Sequence, residues 1–121
     1  HDVARPLINA KCITDVIEAL QTHSGAAPAL PITDALWRGQ DGLVDETVAR
    51  ENLFRAQTPQ GFDFESILQA HAQACGAAAD DVEVAMQAGL GVKIISGHEE
   101  NIKITIPEDF ERAIKIMKDR R

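Results

Sequence analysis

The sequence predicts an α/β fold in which helices cover a mainly parallel sheet. Three observations carry that expectation. Helical and extended patterns alternate along most of the 121 residues, as they do where strands are joined by crossover helices. The composition, 45% hydrophobic and 26% charged, is that of a globular chain long enough to bury a core. Apolar residues also recur at helical spacing directly after residues able to cap a helix.

Taken in order, the first helix is predicted from about Ala10 to Gln21. Ile13, Val16, Ile17 and Leu20 share one helical face, Asn9 can cap the start, and Gly25 lies just past the end. Ala27 to Arg38 holds Pro28 and Pro31 and alternates imperfectly, so it reads as an extended segment at a sheet edge or outside a sheet. Gly39-Gln40-Asp41-Gly42 is a polar turn, and Leu43 to Gln57 returns as further extended chain. The two segments form a long ribbon with little core of its own, which needs another surface, such as a second subunit, to pack against.

Asp63 is expected to cap a helix carrying Phe64, Ile67, Leu68, Ala72 and Cys75 and ending at Gly76. Asp80, with Glu83 three residues on, completes a capping box for a helix that turns Val82, Ala85 and Met86 inward and stops at Gly89. Val92 to Ile95 reads as a short buried strand. Ile102, Ile104 and Ile106 alternate with Lys103 and Thr105 as in a half-buried strand, and Thr105-Ile106-Pro107-Glu108 is a capping box for a last helix with Phe110, Ala113, Ile114 and Met117.

Charge and composition narrow the function. A formal net charge of -7 argues against a surface that coats nucleic acid, which needs a basic stripe to displace counterions. No apolar run approaches the ~20 residues of a membrane helix. Cys12 and Cys75 have no CxxC spacing and fall on apolar helical positions, which predicts buried free thiols and a soluble protein of the cytosol. Ser24, Ser66 and Ser96 lack the context of an activated nucleophile, the four histidines lack metal-ligand spacing, and no nucleotide-binding glycine loop is present.

What remains is a set of cations and hydroxyls at element ends. Arg5 precedes a proline, Arg50 closes the ribbon, Thr58-Pro59-Gln60 makes a rigid polar turn, and Lys103 stands between isoleucines. Arginine forks, a lysine and hydroxyl donors can grip a phosphate. Arg38 and Arg55 are further cations for a small anion. Asp2 is the candidate to receive a substrate hydroxyl or to bind magnesium, since a carboxylate is the hard oxygen ligand that this ion prefers. Each of these residues has a plainer reading as a solvated surface charge.

Four stretches, "HDVARP", "PALPITDALWR" with "ETVAR", "AQTPQGF" and "EENIKITIPEDF", occur in an order and spacing that resemble the 2-C-methyl-D-erythritol 4-phosphate cytidylyltransferases of the non-mevalonate isoprenoid route. The resemblance covers nearly the whole chain. It implies a Rossmann-like nucleotidyltransferase fold, three-layer α/β/α, with a protruding β-arm that makes a homodimer, and it equates residues 28–57 with that arm. It also implies magnesium-dependent transfer of a cytidylyl group from CTP to methylerythritol phosphate, releasing pyrophosphate.

Matched by motif, Arg50 and Lys103 are the catalytic residues that position methylerythritol phosphate, Arg50 reaching across the dimer. Asp2 and Arg5 match the segment that contacts the polyol, and Thr58 matches the threonine of the TPQ turn. Two details depart from the family: Asp34-Ala35 stands where the arm commonly has Asp-Thr, and Ala79-Asp80-Asp81 replaces a Thr-Asp-Asp cap. The glycine- and arginine-rich loop and the Pro-Lys-Gln turn that bind CTP in the family are not in these residues. Residues 1–121 therefore read as the carboxy-terminal portion of a single cytidylyltransferase domain, unable by itself to bind CTP well or to turn over. Two other readings stand beside this one: a cytidylyltransferase for another polyol phosphate such as ribitol 5-phosphate, and a non-catalytic dimerisation module.

Overall fold

A computed structural model describes residues 1–121. Its elements are α1 (Ala10–Ala19), β1 (Gly25–Pro31), β2 (Leu36–Gln40), β3 (Leu43–Val48), β4 (Phe54–Ala56), β5 (Gly61–Phe62), α2 (Phe64–Gln73), α3 (Asp81–Gln87), β6 (Val92–Ser96) and α4 (Pro107–Asp119). Strand β1 is the centre. It pairs in parallel with β6 along one side and antiparallel with β5 and then β4 along the other. The sheet is thus mixed rather than mainly parallel, because the chain leaves β1 into a hairpin and comes straight back.

The position of Pro28 explains how a central strand tolerates a proline. The Gln57 N–H donates to the Pro28 carbonyl at 2.9 Å, so the backbone of Pro28 faces the β4/β5 side. On that side β5 pairs only with Gly25 and Ala26, and β4 only with Ala29 to Pro31. The donor that proline lacks therefore falls in the gap between partners. The expectation of an edge strand is corrected accordingly: Pro28 is fully buried.

Helices lie on both faces. Cys12, Val16 and Ala19 of α1 pack on Ala26 and Ile95, while Val82 and Met86 of α3 line an apolar hollow with Ala27, Val92 and Ile94, which alternation puts on the opposite face. The face α1 buries is one of small side chains; Ile13 and Ile17, expected inside, are 43% and 60% exposed. Gly61 shows how close the approach is, since a Cβ there would lie 2.5 Å from Val16 Cγ1. Burial pushes the Cys12 thiol above its ordinary pKa. Cys75, by contrast, is exposed and free. Met86, Phe110, Ile114 and Met117 are also largely exposed, and β6 is an edge with Ile95 alone buried.

Residues 102–106 form no strand. Their one backbone-to-backbone hydrogen bond to the first residues is the Ile104 N–H donating to the Ala4 carbonyl at 2.8 Å, and Ile102 is buried against Leu7 and Ala113. The hairpin β2–β3 is a sheet by itself, so the independent arm is shorter than residues 28–57, whose ends belong to β1 and β4. Asp41 and Gly42 at its tip both have positive φ, 52° and 79°, the geometry of a two-residue hairpin turn that matches strand twist. A bulge follows in the ladder: Arg38 pairs with Glu46 but Gly39 with Val44, leaving Asp45 unpaired.

The caps form where expected. Asn9, Asp63 and Asp80 accept from the N–H groups of Cys12, Ser66 and Glu83. At α4 the carboxylate in the box is Asp109 rather than Glu108: it accepts from the Thr105 N–H at 2.9 Å and the Ile106 N–H at 3.1 Å. These bonds hold the Asp109 carboxyl below the usual carboxylate range. A depressed folded value contributes stability that is present above the unfolded pKa of ~3.9 and is lost as pH falls through the folded value. Asp109→Asn is therefore expected to lower Tm at neutral pH, with the gap to the unaltered protein closing in acid. Thermal melts across pH check this; a gap independent of pH would sink it.

Candidate active site

Three segments far apart in sequence meet at the end of the sheet. The first, residues 1–5, is a turn closed by the Arg5 N–H donating to the Asp2 carbonyl at 3.1 Å and anchored by Leu7, which is buried with Ile102 and Ala113. The second is the Thr58-Pro59 turn between β4 and β5, whose connecting peptide is cis. The third runs from His98 to Lys103. Gln57 fastens the second to the third: its Nε2 donates to the His98 carbonyl at 3.0 Å and its Oε1 accepts from the His98 N–H at 3.1 Å. Gly97 gives the room, since a Cβ there would lie 2.5 Å from Gln57 Oε1.

Between these segments and the start of α3 lies a cleft of about 510 Å³. Asp2, Arg5, Thr58 and Lys103, four of the five residues singled out from sequence, line it together with Asp80 and Asp81. A second cleft of about 350 Å³ shares Arg5 and Lys103 and adds Arg55, Arg112 and Asn101. Arg50 is not in either. It stands exposed at the foot of the arm, where its guanidinium donates to the Thr33 carbonyl of its own chain.

The roles differ from what residue type alone suggests. Arg5 is no free fork. Its Nε faces Asp2 Oδ2 at 3.3 Å, its Nη1 donates to the Asn101 carbonyl at 2.6 Å, its Nη2 to the Ala56 carbonyl at 3.3 Å, and its side chain is only 12% exposed. Thr58 is likewise engaged: its hydroxyl oxygen accepts from the Asp2 N–H at 3.0 Å and lies 2.9 Å from His1 Nδ1. Arg38 pairs with Glu46 on the arm and Arg55 with Glu99. Lys103 is the available cation. Its side chain is half-exposed and its Nζ stands 3.7 Å from Asp2 Oδ2.

Asp2 does not fit the role of magnesium ligand within this chain. Its carboxylate already faces two cations, which weakens its pull on a third, and although Asp80 and Asp81 line the same cleft, no three His, Cys, Asp or Glu side chains are placed to hold a metal ion together. Magnesium demands several oxygen ligands in octahedral array. Asp2 Oδ2 instead stands between Arg5 Nε and Lys103 Nζ, at 3.3 Å and 3.7 Å. Gln57 and Asn101, 6% and 2% exposed, are the residues that sequence reasoning passed over. Both sit inside the motifs quoted above, and the available signal was a polar amide beside an otherwise apolar or turn-forming run.

The family model for 2-C-methyl-D-erythritol 4-phosphate cytidylyltransferase matches residues 1–119. The chain belongs to this family. Among curated cytidylyltransferase relatives, it is 59% identical over its full length to the bifunctional enzyme IspD/IspF of Rhodobacter capsulatus, of which it covers 32%. It is 53% identical to the 2-C-methyl-D-erythritol 4-phosphate cytidylyltransferase of Roseobacter denitrificans, over 99% of this chain and 54% of that protein. The chain thus spans between a third and about half of the length of these relatives. The crystal structure of the Thermus thermophilus cytidylyltransferase superposes with a TM-score of 0.91 at 34% identity, covering 98% of this chain and 60% of that one. The nucleotidyltransferase fold is therefore the one expected, although its sheet is mixed in these residues.

Arg5→Lys tests the clamp. A lysine keeps the charge but cannot reach three acceptors from a rigid plane. It should destabilise the protein by about 1–3 kcal/mol, read as a lower urea midpoint. An unchanged midpoint would mean that the carbonyl contacts do not hold the three segments together.

Proposed function

We propose that these residues form the polyol-phosphate side of a cytidylyltransferase site. In the reaction, a phosphate oxygen of 2-C-methyl-D-erythritol 4-phosphate attacks the α-phosphorus of CTP. A new P–O bond forms, the bond to the β-phosphate bridge breaks, and pyrophosphate leaves with the electron pair. The single observation that carries this reading is the convergence of Asp2, Arg5, Thr58 and Lys103, from three separate motifs, on one polar cleft.

The chemistry asks little of the protein beyond placement and neutralised charge. Lys103 meets the substrate phosphate. Asp2 and Thr58 face its hydroxyls, with Arg5 behind Asp2 fixing its direction. The cleft holds three aspartates, Asp2, Asp80 and Asp81, against Arg5 and Lys103, so a second free cation is required to hold a phosphate against a triphosphate. Arg50, on a second copy of the chain, supplies it through a homodimer made by the arm. The exposed Trp37, Leu43 and Val44 give that arm the apolar surface for such pairing. No residue described here holds magnesium in this scheme. No helix is long and apolar enough to cross a membrane, and two unpaired cysteines suit a reducing compartment such as the cytosol.

The test uses a protein of the relatives' length that carries this segment, assayed with CTP and either methylerythritol phosphate or ribitol 5-phosphate. Turnover of the first polyol and not the second is expected. Lys103→Ala and Arg50→Ala should each lose ~1.5–3 kcal/mol of transition-state stabilisation, roughly tenfold to more than a hundredfold in kcat/KM. Mixing the two variants should recover about a quarter of full activity, because half of the dimers are mixed and each has one intact site. Activity that stays at the level of the single variants after mixing would place Arg50 and Lys103 in the same copy's site.

A further inference from the structure

We propose that Asn101 is a positioning residue of this reaction, setting where Lys103 stands against the substrate. The inference rests on the cytidylyltransferase reading of the cleft. Asn101 is 2% exposed, and its Oδ1 is buried with no hydrogen-bond partner. An orphaned buried acceptor is destabilising, and such groups in a folded protein call for an explanation. An alanine at this position would avoid the penalty. What an amide offers in its place is a donor: Nδ2 donates to the Thr58 carbonyl at 2.9 Å.

That bond closes a ring. The Thr58 hydroxyl oxygen accepts from the Asp2 N–H at 3.0 Å, Asp2 Oδ2 faces Lys103 Nζ at 3.7 Å, and Lys103 follows Asn101 by two residues along the chain. The main chain of Asn101 reinforces the ring from inside, its carbonyl accepting from Arg5 Nη1 at 2.6 Å and from Gln57 Nε2 at 3.4 Å. One buried residue therefore joins all three segments of the site through both its side chain and its backbone. With the ring closed, the long side chain of Lys103 springs from a fixed base and has a fixed carboxylate at its tip. A displacement of ~1 Å at a group that aligns reactants can cost on the order of a hundredfold in rate, so the rigidity of this ring acts on the chemistry and not only on folding.

In a protein of the relatives' length, Asn101→Ala and Thr58→Val are made singly and together, and KM for each substrate, kcat and Tm are measured. Asn101→Ala is expected to raise KM for methylerythritol phosphate about tenfold while KM for CTP stays within about twofold, the value of one lost hydrogen bond read on one substrate only. The double variant should be no worse than the worse single one, because each substitution opens the same ring. Equal movement of both KM values, multiplicative losses in the double variant, or an Asn101→Ala protein that accumulates only unfolded would each make Asn101 a purely structural residue and overturn the proposal. An inactive unaltered protein would sink the cytidylyltransferase reading with it; an active one whose Asn101→Ala form has unchanged kinetics sinks the ring alone.

Discussion

The site depends on one guanidinium. Arg5 reaches two backbone carbonyls, on Asn101 and Ala56, and one carboxylate, on Asp2, so a single side chain touches all three segments of the site. The guanidinium reinforces the neutral hydrogen bonds of Gln57, Thr58 and Asn101, because each charge-assisted bond is about twice as strong and a planar fork fixes several directions at once. The arrangement also explains the division of labour among the cations. Arg5 is consumed in building the cleft, while Lys103 lines it with its side chain half-exposed. Asp2 sits between them, its Oδ2 3.3 Å from Arg5 Nε and 3.7 Å from Lys103 Nζ.

Local signals in the sequence were legible and non-local ones were less so. Asn9, Asp63 and Asp80 cap helices because a short polar side chain and an N–H three residues on need nothing beyond the local chain. The face a helix buries is a different matter. Ile13 and Ile17 outweigh Cys12 and Ala19 in hydrophobicity, yet the sheet approaches α1 along its small residues, and sequence periodicity reports a broad apolar arc without saying which part of it the sheet will touch. Residues 102–106 make the same point for strands: alternation tracks which side of an extended chain is buried, and an extended chain need not pair. Pro28 is the converse case, a residue whose usual meaning was overridden by a gap between two short partner strands.

At the site, identity was easier to read than role. The motifs containing Asp2, Arg5, Thr58 and Lys103 brought those four residues together as expected, because each lies at the end of an element or in a turn that directs it to the same edge of the sheet. Their individual duties were not visible from type or spacing. Whether an arginine is a free fork or a structural clamp is decided by which carbonyls fold beside it, and those come from residues about fifty and about a hundred positions away. Gln57 and Asn101 were invisible for the same reason: their amides matter only because distant backbone groups are presented to them.

The bulge in the β2–β3 hairpin settles a matter of phase. Directly paired residues share a face, so Leu36 and Val48, Arg38 and Glu46, and Gln40 and Leu43 lie on one side, with Trp37 and Thr47, and Gly39 and Val44, on the other. Were Asp45 a regular, paired residue of the strand, strict alternation would put Val44 on the side of Glu46. The bulge instead carries Val44 across to join Trp37, while Leu43 stays on the side of the Arg38–Glu46 ion pair. Deleting Asp45 would restore a regular ladder with the same partners on the same two sides, so what the extra residue adds is a local bend and a stronger twist, and the arm's curvature, more than its pattern of faces, is what this one aspartate sets.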